Sequence, residues 1–216
     1  MKRLVLALSL AAFGPPVPAA PPAPLRVRAT EAMAPCSVAA ARAYSLAGGP
    51  QAVVETGALE ATADVLVGSG IEITRALESG VGRDDSDVAV VEVPWVLVLS
   101  ERAPAVKSLD EAAAAGIEIE VLKGSASHEA QRALAEKTKT RAREQDASSL
   151  RKAEAALVPA SVAGPGRRIT VDVPALRAQA AVGSRSGAVA AARAFVAFLG
   201  SDAGRRAFAS CSEPAR

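Results

Sequence analysis

The stretch VPWVLVLSERAPAVKSLDEAAAAGIEIEVLKGSASHEAQRAL, residues 93–134, decides the fold. It opens as a near-continuous apolar run and passes through a polar turn. Helix, strand and helix patterns then follow in order. Ser108 stands three residues before Glu111, the spacing of a capping box, and Gly116 stops the helix over 109–115. Residues 117–122 read as a strand, and Ser127 reads as the cap of a helix over 128–137.

The same alternation extends in both directions. Upstream, DVLVGSGIEITRALESG at 64–80 gives a strand over 64–68 and a helix over 71–79 that Gly80 ends. Before it lie a strand over 25–30, a helix over 36–46 with Pro35 in its first turn, and a strand over 51–55. After it, 83–87 is a charged turn and 88–100 is the longest apolar strand candidate, interrupted at Pro94. Downstream, 141–144, 154–158, 168–173 and 178–182 read as strands and 148–152 as one helical turn. AVGSRSGAVAAARAFVAFLGSDAGRRAFASC at 181–211 closes the chain with helices over 189–199 and 202–210. Strands alternating with helices make an α/β protein with mostly parallel sheets covered by helices, in two units joined near Pro94.

The first residues read as an export signal. Lys2 and Arg3 precede an apolar run over 4–13, and Val17-Pro18-Ala19 offers small residues for cleavage after 19. The run falls short of the roughly 20 residues that span a bilayer. Without residues 1–19 the 25 basic residues become 23, equal to the 23 acidic ones. A neutral chain has no basic field for nucleic acid. One Trp and one Tyr make no stacking platform for sugars or bases.

Chemistry-bearing residues gather at strand ends. Ligands of open α/β sheets bind at the carboxyl ends of strands, where loops feed helix N-termini whose free amides favour anions. Those positions are Thr30 and Glu31, Thr56 and Gly57, Ser69 between two glycines, Ser125 to Ser127, and Ser161. The sole histidine, His128, opens a helix with no catalytic partner beside it. The sequence has no Gly-x-Ser-x-Gly elbow, no phosphate loop and no His/Cys metal spacing, so it reads as no enzyme and holds no metal.

Together the blocks at 64–80, 93–134 and 181–211 resemble the solute-binding proteins of bacterial ABC importers, in particular the molybdate-binding type. The resemblance runs over nearly the whole chain beyond residue 19. It implies a two-lobed type II periplasmic binding fold in a compact variant, with lobe I from 20–93 and 185–216 and lobe II from 94–184. Hinges are expected near 93–95 and 179–184. It further implies a periplasmic or secreted monomer without cofactor that hands a small ligand, a molybdate- or tungstate-like oxyanion, to an inner-membrane ABC permease. Carried over by position, the family's ligand loops fall on 30–33, Thr56-Gly57, 125–127 and 159–161; with Ser69 from the strand-end reading, the ligand set is Thr30, Glu31, Thr56, Gly57, Ser69, Ser125, Ser127 and Ser161.

Two departures stand out: Glu31 replaces the serine that follows the family's first strand, and the strand end that carries the family's tyrosine reads Leu157-Val158-Pro159-Ala160-Ser161. If Glu31 pairs with a base or faces solvent, an oxyanion fits; if it enters the cleft, a cationic or neutral ligand, or none, fits better. The alternative function is an exported interaction or sensor module that keeps the fold without transport. The family architecture also brings Cys36 and Cys211 together as a disulfide, the other possibility being two buried thiols.

Overall fold

A computed structural model of the chain describes residues 23–138, 142–150 and 152–212. The expected leader, residues 1–19, lies outside the described residues. The first sheet is built from β1 (Leu25–Ala29), β2 (Ala52–Thr56), β3 (Val65–Ser69), β4 (Val88–Val93) and, much later in the chain, a returning strand, Leu176–Val182. The second sheet holds β5 (Trp95–Leu99), β6 (Ile119–Leu122), β7 (Arg143–Gln145), β8 (Ala155–Pro159) and β9 (Arg167–Thr170), which makes the returning strand β10. Strand order is β2-β1-β3-β10-β4 in one sheet and β7-β6-β8-β5-β9 in the other.

Alternation decides which way each strand faces. In β1 Leu25, Val27 and Ala29 are buried while Arg26 and Arg28 point away and pair with Glu55 on β2. Every residue of β3 is buried, as expected for a strand with layers on both faces. One of those layers is α1 (Ala34–Leu46), α6 (Val189–Gly200) and α7 (Asp202–Ala209); on α2 (Gly70–Glu78) Ile73 and Ala76 pack with Leu66 and Ala181. The second unit carries α3 (Leu109–Ala114), α4 (Ser125–Thr138) and α5 (Ala147–Leu150).

Both sheets are mostly parallel, as expected, and each is made mixed by one strand, β10 or β5, that runs against the other four. β1, β2 and β3 pair in parallel, as do β6, β7 and β8, but β10 runs antiparallel to β3 and β4, and β5 antiparallel to β8 and β9. Parallel neighbours need a crossover connection, usually a helix. β5 and β10 are the strands the chain reaches by passing directly from one sheet to the other.

One difference concerns where the chain returns. Residues 178–182 were read into the second unit, yet β10 pairs with β3 and β4, and Leu176 lies opposite Val93. The passage back is 171–175, one strand earlier than the boundary at 184–185. An apolar strand carries no mark of which sheet it joins.

Local chemistry fixes the joints. The Asp64 carboxylate accepts from the Arg26 amide at 2.9 Å and from Ser186 Oγ at 2.7 Å, and Ser186 Oγ accepts from the Ala188 amide at the start of α6. Tyr44 of α1 packs on Phe195 and Phe198 of α6, with ring centroids 4.9 and 5.2 Å away. Cys36 and Cys211 are disulfide-bonded, with Cα atoms 5.0 Å apart, tying α1 to the 3-10 turn Ser210–Ser212 after α7. Trp95, the first residue of β5, is 1 % exposed.

Candidate functional site

The two sheets meet at the ends of their strands. β1 runs into Thr30 and Glu31 ahead of α1, β2 ends at Thr56, and from the second unit β8 runs into the 3-10 turn Ala160–Val162. Ser161 Oγ donates to the Ala32 carbonyl at 2.6 Å, a buried hydrogen bond joining the units directly. Beside it lies a cleft of about 600 Å³. Glu31 and Thr56 line it from the first unit, and Ser100, Leu122, Val158 and Ser161 from the second.

Of the residues singled out in the sequence, Glu31, Thr56 and Ser161 are thus brought together on one cleft. Gly57 follows Thr56, and its amide is spent on the Ala29 carbonyl at 3.0 Å. Thr30 and Ser69 turn elsewhere. Thr30 Oγ1 donates to Glu72 Oε2 at 3.1 Å, the Ser69 amide donates to the same oxygen at 2.7 Å, and Ser69 Oγ accepts from the Glu72 amide. The Glu72 carboxylate therefore sits at the N-terminus of α2, where the helix favours negative charge. Its signal was in the sequence: Ser69-x-x-Glu72 has the same capping-box spacing as Ser108-x-x-Glu111.

Ser125 and Ser127 lie in the first turn of α4, which begins two residues before the expected cap at Ser127. Their side chains lie outside the described residues. The floor of the cleft, with Val98, Leu122, Leu150 and Val158, was not anticipated as lining. These residues read only as core strand and helix positions.

Glu31 is exposed on the cleft wall and has no ion pair with a described residue. Arg28, the nearest base before it in the sequence, engages Glu55 at 3.3 Å and Glu60 at 3.2 Å instead. Among the described residues the lining includes no Lys or Arg. At the rim the Arg168 guanidinium donates to the carbonyls of Ala163 and Gly164 at 2.9 and 3.3 Å. Among the described residues no group of three His, Cys, Asp or Glu side chains is placed to hold a metal ion.

Solved structures share this fold. The periplasmic molybdate-binding protein of Azotobacter vinelandii superposes with a TM-score of 0.72 at 14% identity, over 87% of this chain and 97% of that one. The fold is that of a type II periplasmic binding protein. The sulfate-binding protein SubI of Mycobacterium tuberculosis matches this binding fold with a TM-score of 0.67 at 16% identity, over 87% of this chain and 85% of its own. Peb3 of Campylobacter jejuni matches at 0.66 and 14% identity, covering 87% and 98%. No family model and no curated relative matches the sequence. In the binding fold as built here, the passages between units are Pro94 and 171–175, and the cleft opens at the ends of β1, β2 and β8.

Proposed function

We propose that this chain is the substrate-binding component of an ABC importer, working outside the cytoplasm as a monomer that delivers a small solute to a membrane permease. The observation that carries the reading is the cleft of about 600 Å³ whose walls come from both units, bridged at one edge by Ser161 and Ala32. In this reading the lobes are 23–93 with 176–212 and 95–170. They close about Pro94 and 171–175, where a few backbone torsions absorb the rotation. Neighbours named for molybdate and sulfate support a molybdate- or tungstate-like oxyanion as the solute.

Thr56, Ser161 and the first turn of α4 at 125–127 are the proposed ligand contacts, and Glu31 sets their affinity. Two like charges about 4 Å apart at an effective dielectric of 20 repel by roughly 4 kcal/mol, an upper bound here because Glu31 is exposed and screened. Calorimetry with molybdate, tungstate, sulfate and phosphate on the wild type and on Glu31→Ser tests this. The expected result is tighter binding of at least one oxyanion by Glu31→Ser, by about tenfold or more, equivalent to ~1.4 kcal/mol. Absence of binding by both proteins would remove the oxyanion.

One observation favours a second reading, an exported interaction or sensor module on the same fold. Thr30 and Ser69, two of the polar groups offered to a ligand, are committed to Glu72. A chain that binds no small solute and is encoded without a permease and ATPase would be that module.

A further inference from the structure

A second cavity straddles the two units on the α2 and α4 side, a groove of about 710 Å³. Its charged lining is Arg75 and Glu78 from α2, Arg177 from β10 and Arg132 from α4, with Thr74 and Gln179 as neutral polar groups. Among the described residues, three guanidinium groups on three elements face one carboxylate. The described lining of the cleft above has the opposite character, one acid and no base. The net charge of the chain hides this separation.

The arginines are available. Arg75 and Arg132 are exposed and have no carboxylate partner among the described residues, and Arg177 makes only a loose contact with Glu92, 3.8 Å from Nε to Oε1 on exposed side chains. Glu78 lies one turn from Arg75 on the same helix and does not pair with it. A concave surface that gathers exposed guanidinium groups has the chemistry of carboxylate or phosphate recognition, because each planar fork donates two parallel hydrogen bonds to such a group. Arg132 belongs to the second unit while Arg75 and Arg177 belong to the first, so a ligand with several anionic groups reaches across the passage at 171–175.

We infer that this groove is a binding site for a small polyanion bearing carboxylate or phosphate groups, whose occupancy ties the two units together. It is independent of the solute reading of the Glu31 cleft and stands or falls separately. Bridging requires at least two anionic groups on one molecule. A single neutral or cationic solute gains nothing there.

Citrate and pyrophosphate are the probes, with glycerol as the neutral control, in calorimetry at low ionic strength. Wild-type protein is expected to bind at least one polyanion and not glycerol, with affinity falling as salt is added. Arg75→Gln and Arg132→Gln should each weaken binding by about tenfold, since each removes charge-assisted hydrogen bonds. Glu78→Gln should strengthen it, a gain that partial unfolding cannot imitate. Arg75→Gln and Arg132→Gln should leave solute binding in the Glu31 cleft unchanged, which separates this site from the cleft. Failure of both polyanions to bind, or equal binding by the Arg75→Gln/Arg132→Gln double variant, would overturn the assignment.

Discussion

Tyr44 is the single tyrosine of the chain, and burial against Phe195 and Phe198 raises its phenol pKa above the ordinary value. Desolvation disfavours the phenolate, so the folded state prefers the neutral ring. The stability this contributes is complete below the unfolded pKa of about 10 and is lost as pH rises through the higher folded value. With one tyrosine present, an absorbance titration of phenolate reads this group alone. The folded protein should titrate above the denatured one; coincident curves would contradict the burial. At this scale the sequence was legible where position on a strand end decides the matter, as for Thr56 and Ser161. It was ambiguous where two partners compete, since Thr30 and Ser69 are equally good ligand hydroxyls and equally good company for Glu72.

Between elements, backbone approach matters more than side-chain type. Where α7 turns off the end of α6, Gly204 sits so close to the Phe198 carbonyl that an added Cβ would overlap it. Phe208 of α7 and Phe195 of α6 are both fully buried beside this elbow, leaving little room for the helices to separate. Gly204→Ala should destabilise the fold by about 1–3 kcal/mol, the usual cost of overpacking. At roughly 2–4 °C per kcal/mol for a chain of this size, thermal unfolding would read a drop of several degrees, and an unchanged midpoint would show that the elbow opens freely. Strand and helix positions were readable because burial on one face imposes a period, as in Leu25, Val27 and Ala29. Sheet membership was not, because 176–182 would be just as apolar in either sheet; only pairing with β3 and β4 assigns it.

The whole molecule is held from both ends of its chain. β1 and α1 come from the beginning, β10, α6 and α7 from the end, and the second unit enters and leaves through neighbouring strands, with Val93 opposite Leu176. The Cys36–Cys211 bond spans 175 residues, a closure that contributes up to about 5 kcal/mol in the chain-entropy estimate. That bond also makes a covalent ring on which the entire second unit is strung. A single protease cut anywhere in 95–170 opens the ring but does not divide the molecule. Such a nicked protein should run as one band on a denaturing gel without reductant and as two with it; two bands without reductant would show the bond to be absent. Reduction, harmless to an intact chain's continuity, becomes for a nicked one the step that severs it into fragments.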